Sequence, residues 1–174
     1  MKKKLTTHTI VTTAMLIALS IVLRLLGFPQ SGTVRFEFGF LPIAVIGEMY
    51  GGIIGGLAYV IADIIGTFLT GMTPFFPITI CKFLIGLLFG LFFHKRKMSW
   101  LNITLCVVAI GIFVDLVAMP FALSPLYPGK GVWVIAYQRI LMSVVNIPTR
   151  IVAIGITYKY LGNFIKTHLK KEER

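Results

Sequence analysis

The chain has 174 residues, of which 57% are hydrophobic and 13% charged, and its mean hydropathy is +0.90. Soluble domains contain about 45–50% apolar and about 25% charged residues, and a single core of this size could not bury so much apolar surface. The composition excludes an ordinary soluble domain and predicts an integral membrane protein.

Apolar runs of roughly membrane-spanning length follow one another along the chain. A helical span needs about 20 apolar residues, so the second run is short for a full crossing and is tilted, bent or continuous with the third through Gly51 and Gly52. We predict an all-α bundle of six transmembrane helices, forming a single transmembrane domain over residues 1–174. The predicted helices cover residues 10–26, 38–50, 53–70, 76–94, 101–121 and 139–162.

Positive charge is distributed unevenly. A net charge of +11 would suggest a nucleic-acid partner for a soluble protein, but the basic residues cluster at 2–4, 95–97 and 159–174, beside the ends of apolar runs. This positive-inside pattern predicts that both termini are cytoplasmic and that no nucleic acid is bound. The first apolar run is predicted to be retained as a helix rather than removed as a signal peptide.

The three loops on the opposite side of the membrane are rich in turn formers and aromatic residues. They are predicted over residues 27–37, 70–76 and 122–138. Loops of this kind commonly carry ligand contacts, so we predict a binding site on this outer side. A belt of aromatic residues at the membrane interface is the alternative interpretation.

Ionisable residues also occur inside the predicted helices. They are Asp63, Lys82, Asp115 and Arg150, with Arg24 near the outer end of the first helix. At 1.5 Å per residue, Asp63 lies about 10 Å from the outer end of its helix. Charge inside a membrane is costly and indicates either function or an ion pair. The functional interpretation is a pocket open to the outside; the structural one pairs Asp63 with Lys82 and Asp115 with Arg150.

Small residues recur at four-residue intervals, which allows helix backbones to approach closely in a membrane. We interpret the glycines as packing residues. Ala14 and Ala18 form a smooth stripe on the first helix that could receive a helix of another protein. The glycines concerned are Gly47, Gly51 and Gly55, Gly52 with Gly56, and Gly86 with Gly90.

Catalytic and metal-binding patterns are absent from the sequence. There is no GxxxxGK[ST] phosphate loop, HExxH motif or Ser-His-Asp set, so the chain is predicted to be no enzyme and to hydrolyse no ATP. Cys81 and Cys106 lie in apolar runs as small core residues, and the three histidines lie beside basic clusters. We therefore predict no metal and no cofactor.

Five stretches together resemble the folate-type S components, the small substrate-binding membrane subunits of energy-coupling factor (ECF) vitamin importers. Their order and spacing carry the resemblance, and Arg139 lies at the matching position in the last stretch. The stretches are VRFEFGFLPI at 34–43, GGIIGGLAYVIADIIGTFL at 51–69, FFP at 75–77, GLLFGLFF at 86–93, and LSPLYPGKGVWVIAYQRI with the later NIP within 123–148.

The resemblance implies a six-helix, multi-pass protein of a prokaryotic plasma membrane that captures a vitamin from outside with high affinity. It also implies hand-over to a transmembrane coupling subunit driven by two ATPase subunits, which accounts for the missing phosphate loop. Ala14 and Ala18 match the family's helix-docking motif.

Folate, the vitamin that the resemblance implies, has a flat pterin, an aromatic linker and an anionic glutamate tail. Its site needs stacking surfaces and cations. Asp63 is predicted to accept hydrogen bonds from the pterin. Phe75, Phe76, Tyr127, Trp133 and Tyr137 are predicted to supply the stacking surfaces, and Arg35, Lys82 and Arg139 the cations.

Other functions remain alternatives. The vitamin can instead be pantothenate, hydroxymethylpyrimidine or thiamine, or riboflavin. A stand-alone channel or facilitator would also use six helices and embedded charges, and a purely structural membrane subunit would bind no ligand.

Overall fold

The structure is a computed structural model that describes residues 7–26, 38–94, 96, 99–126 and 131–172, the last twelve by their backbone alone. Every regular element within these residues is a helix. The helices are α1 (Thr7–Leu25), α2 (Phe40–Tyr50), α3 (Gly52–Leu69), α4 (Phe76–Phe93), α5 (Trp100–Leu126) and α6 (Val132–Glu172).

Three of these helices, α3, α4 and α5, are long and apolar enough to cross a membrane. A fourth candidate is the pair Val132–Ile140 and Met142–Tyr160 within α6, which is bent by 42°. Within the described part of the chain, the apolar stretch Thr9–Leu25 of α1 and the whole of α2 are shorter than a full span. The all-helical class is therefore confirmed for the described residues, with three or four candidate spans, whereas the count of six spans stays a prediction.

The second and third predicted helices are two separate helices that fold back on each other. Gly51 divides them with φ +93°, a left-handed conformation that favours glycine because it has no Cβ. Its amide donates to the carbonyl of Gly47 (3.0 Å), and the Cα of Gly47 would lie 3.1 Å from a Cβ placed on Gly55. The junction at residues 51 and 52 is thus a tight reversal of the chain.

Glycines bring α2 and α3 into backbone contact with α4. A Cβ on Gly47 would lie 2.9 Å from the amide nitrogen of Gly90, and one on Gly55 would lie 2.9 Å from the carbonyl oxygen of Gly86. A Cβ on Gly90 would collide with the backbone of Gly52. These five glycines are called the glycine seam below. The predicted packing role of the glycines is confirmed at these contacts.

The helix ends divide between two ends of the bundle. At the end called upper here, α1 and α3 end and α4 begins, and the hydroxyl of Ser20 donates to the carbonyl of Gly39 just before α2 (2.6 Å). At the lower end, the reversal at Gly51 lies beside His94, whose Nδ1 is 3.0 Å from the carbonyl oxygen of Glu48. Between the two ends lies an apolar core that includes Ile43, Ile46, Phe89, Phe93 and Ile110.

The prediction of a long loop over 122–138 is wrong for most of its length. Helix α5 continues to Leu126, and α6 begins at Val132. The residues that break helices, Pro128, Gly129 and Gly131, all lie between these two points. The aromatic residues that accompany them in the sequence do not themselves terminate a helix, so Trp133 and Tyr137 belong to the first turns of α6.

Candidate functional site

Asp63 is a deeply buried carboxylate of the upper half, with its side chain 4% exposed. It lies on α3, and both carboxylate oxygens accept hydrogen bonds from other helices. Arg24 of α1 donates from Nη1 to Oδ1 (2.8 Å), and Thr79 of α4 donates from its hydroxyl to Oδ2 (3.2 Å). Three helices therefore meet at one charged group.

The partner of Asp63 differs from the one predicted. Its ion pair is formed with Arg24, not with Lys82. The guanidinium of Arg24 also donates to the main-chain carbonyl of Asp63 (3.2 Å) and to the hydroxyl of Thr67 (3.1 Å), one turn further along α3. The prediction failed because the pairing depends on how α1 is rotated against α3, and helix spacing alone does not determine that rotation.

Lys82 lies on α4 and is buried. Its ammonium donates to the phenol oxygen of Tyr59 on α3 (3.3 Å) and lies 5.0 Å from the centre of that ring. A cation above an aromatic ring gains electrostatic stabilisation when water is excluded. Lys82 and Asp63 therefore both lie at the contact between α3 and α4, each with its own partner.

The second predicted ion pair is confirmed. Arg150 of α6 donates from Nη1 to Oδ2 of Asp115 on α5 (2.6 Å), and its guanidinium carbon is 5.8 Å from the ring centre of Phe40. Asp115 lies in a π-helical stretch, Ile110–Ala118, of α5. Such stretches are uncommon and frequently occur at functional sites.

Cys81 on α4 lies within electrostatic range of charged groups on three helices. The thiol lies within electrostatic reach of Lys82, of Asp115 on α5 and of Arg139 on α6. Arg139 is partly buried, and its main-chain carbonyl accepts a hydrogen bond from Ser143 (2.8 Å). Two of the predicted cations, Lys82 on α4 and Arg139 on α6, thus both lie within electrostatic range of this thiol.

Of the predicted aromatic residues that the structure describes, most are exposed. Phe75 is half-buried just before α4, but Phe76 is 76% exposed. Trp133 and Tyr137 are 88% and 64% exposed and, at a spacing of four residues, share one face of α6. Their rings lie on the outer surface of the bundle, and their role as stacking surfaces stays a prediction. Arg35 and Tyr127 lie outside the described residues.

Ala14 and Ala18 lie on an exposed face of α1, together with the large apolar side chains of Met15 and Leu19. Arg24 lies six residues beyond Ala18, which turns its side chain about 240° around the helix, toward α3. One face of α1 is therefore held by polar contacts within the bundle, while the other is presented outward.

Sequence reasoning missed the hydroxyls of the site. Thr67, Thr79 and Tyr59 each bind one of the embedded charges. One signal was available in the sequence, because Gly66 and Thr67 follow Asp63 by about one helical turn. Gly66 leaves space for a long basic side chain, and the Thr67 hydroxyl supplies a hydrogen-bond acceptor for it. A Cβ on Gly66 would lie 3.2 Å from Nη1 of Arg24.

The family model described as "ECF transporter, substrate-specific component" matches residues 8–161. This chain belongs to that family. The resemblance predicted from the five sequence stretches is confirmed, and the chain is a transporter subunit of a membrane-protein family rather than a member of an enzyme family.

Individual members of the family agree with this assignment. The chain is 29% identical over 147 residues to the folate transporter FolT of Clostridium novyi (strain NT), an alignment covering 84% of this chain and 85% of the relative. It is also similar to the crystal structure of FolT bound with folic acid, with a TM-score of 0.78 and 25% identity over 91% of this chain and 94% of that one.

A second solved structure, of the S component of a bacterial ECF transporter, shares the fold. Its TM-score is 0.68 at 20% identity, and the match covers 91% of this chain and 98% of that chain. Nearly the whole of the present chain is therefore accounted for by the fold of S components.

Proposed function

We propose that this chain is a folate-binding S component that captures folate from outside the cell with high affinity. The observation that carries the proposal is the near full-length similarity, in sequence and in structure, to FolT, including its crystal structure with folic acid. The embedded charges support it, because folate carries both an anionic tail and a hydrogen-bonding pterin.

The polar groups of the upper half suit the two ends of folate. Lys82 and Arg139 supply cations for the glutamate carboxylates, where charge-assisted hydrogen bonds are stronger than neutral ones. Asp63 supplies an acceptor for the amino and ring NH groups of the pterin. A carboxylate offers about four lone-pair positions, so the bonds from Arg24 and Thr79 leave acceptor capacity for a ligand.

The membrane arrangement is part of the proposal. The chain forms a single domain with six spans and lies in a prokaryotic plasma membrane, with both termini in the cytoplasm and the upper end outside. The exposed face of α1 at Ala14 and Ala18 docks on a transmembrane coupling subunit. Two ATPase subunits bound to that subunit supply the energy.

A ligand panel tests the substrate. Purified protein in detergent is heated with folate, riboflavin, thiamine, hydroxymethylpyrimidine or pantothenate, and the unfolding temperature is recorded. Folate should raise this temperature most, because a ligand that binds only the folded state stabilises it by RT ln(1 + [L]/Kd), so at equal concentration the tightest ligand gives the largest shift. The largest shift with another vitamin would reassign the substrate.

A flux measurement separates this proposal from a channel. The protein alone, reconstituted in liposomes, should bind folate but accumulate none inside, because uptake requires the ATPase subunits. Folate entry without ATP or partners would favour a facilitator. Absence of binding to any ligand would favour a structural subunit.

A further inference from the structure

We infer that Arg24 is a positioning residue of the substrate site: it holds Asp63 as a fixed, charged acceptor for the pterin end of the ligand. The inference rests on the proposed function, since it assigns a role within the folate site. Sequence patterns place Arg24 only near the end of a helix, and its contacts give it this role.

The contacts of Arg24 form a fork across one turn of α3. Nη1 donates to Oδ1 and to the main-chain carbonyl of Asp63 (2.8 and 3.2 Å), and Nη2 donates to the hydroxyl of Thr67 (3.1 Å). Two nitrogens thus bind three acceptors on a single helix. A planar guanidinium can do this, whereas the single ammonium of lysine cannot reach the same acceptors in the same geometry.

Gly66 makes room for this fork. It lies between the two residues that Arg24 binds, and a Cβ there would come within 3.2 Å of Nη1 and 3.3 Å of Cδ of the arginine. The arginine side chain can therefore lie flat against α3. A Cβ at this position would crowd the arginine, which would have to shift by a few tenths of an ångström.

Asp63 requires such a partner because its side chain is almost wholly removed from solvent. A buried carboxylate without a compensating charge is strongly destabilised and takes up a proton. Arg24 on one oxygen and Thr79 on the other compensate this buried charge and fix the orientation of the carboxylate.

Replacing Arg24 should affect recognition of the pterin end of the ligand rather than its glutamate tail. If Asp63 accepts hydrogen bonds from the pterin, disturbing Arg24 should weaken every ligand that carries a pterin, whether or not it carries a glutamate tail. If Arg24 instead bound the tail directly, only ligands with the tail would be affected. Folate and pteroate, which lacks the glutamate, separate these two cases.

The test is the dissociation constant of purified Arg24→Gln for folate and for pteroate. We expect both constants to rise by a similar factor, about tenfold or more, the effect of losing a hydrogen bond to a charged group. In a protein that already carries Asp63→Asn, adding Arg24→Gln should raise the two dissociation constants by less than about a further threefold. The effects of the two substitutions are not additive because the two side chains act as one unit.

A milder variant covers the case in which Arg24→Gln does not fold. Thr67→Val removes one acceptor of the fork while leaving the ion pair in place, and it should weaken both ligands by about twofold or more. Thr104→Val is the matched control, because the Thr104 hydroxyl is exposed and donates only within its own helix, to the carbonyl of Trp100. Its affinities should equal those of the wild type.

Three results would overturn the inference while leaving the proposed function intact: unchanged affinities in Arg24→Gln, a loss confined to folate, or fully additive losses in the double variant. A wild-type protein that binds neither folate nor pteroate would instead overturn the proposed function and the inference together.

Discussion

The lower and upper halves of the bundle are held together by different means. In the lower half, the glycine seam places backbone against backbone between α2, α3 and α4. In the upper half, helices meet through embedded charges and hydroxyls, as where Arg24, Asp63 and Thr79 join α1, α3 and α4. The glycine contacts fix the distances between helices without using any functional group. The contacts between charges and hydroxyls place polar groups inside the membrane at an energetic cost.

This difference indicates that the lower half serves mainly to pack the helices and the upper half to recognise a ligand. A lipid environment supplies no hydrophobic force between helices, so close packing of small residues holds them together without burying charge. Embedded charges are a costlier way to join helices, and they are retained where a ligand must also be recognised. Substitutions in the lower half are therefore expected to change stability, and those in the upper half to change binding, stability or both.

The largest effect on stability is expected at the pair of Asp115 and Arg150. Asp115→Asn leaves the arginine without its counter-ion, and we expect a loss of about 3–5 kcal/mol in the free energy of unfolding. Replacing both residues, with Asp115→Leu and Arg150→Met, should recover most of that loss because no unpaired charge remains. Denaturant unfolding in detergent without folate measures both. A double variant no more stable than the single one would contradict the explanation.

Arg139→Ala tests the role of the upper half in binding. We expect folate affinity to fall by about 1.5–3 kcal/mol, the range for a hydrogen bond to a charged group, with little change in the unfolding temperature of the free protein. Titration calorimetry gives the affinity. Arg96→Ala, at an exposed position after α4, is the control. Unchanged affinity in Arg139→Ala removes that residue from the site.

Gly90→Ala tests the glycine seam. Alanine is normally favoured over glycine in a helix by about 1 kcal/mol, but here the Cβ would collide with the backbone of Gly52. We expect a net destabilisation of about 1–3 kcal/mol, typical of overpacking. Gly131→Ala is the control, since a Cβ there has open space. A stabilised Gly90→Ala variant would show that the close contact is not maintained.

The smallest effect on folate affinity is expected from Ala14→Leu combined with Ala18→Leu. These positions face outward on α1, so affinity for folate should stay within about 0.5 kcal/mol of the wild type. Uptake by cells that hold the complete transporter should nevertheless be lost, because the enlarged side chains block helix docking. Reduced affinity in the purified protein would mean that the two alanines pack inside the bundle.

The fold was largely predictable because its signals are local. Apolar run length predicted the helices, the spacing of glycines predicted the contact at Gly86 and Gly90, and the presence of opposite charges inside the predicted helices predicted the pair of Asp115 and Arg150. The pair of Arg24 and Asp63 was not predictable, because it depends on the rotation of α1 against α3. The exposure of Trp133 was not predicted for the same reason, because the sequence shows that an aromatic residue is present but not which way its helix turns it.

The central claim is that the charged upper half binds folate, and the folate dissociation constant of the purified wild-type protein tests it most directly. Titration calorimetry should give saturable binding of one folate per chain with a dissociation constant of about 1 nM or below, equivalent to about −12 kcal/mol. Absence of saturable folate binding at micromolar concentrations would contradict the account.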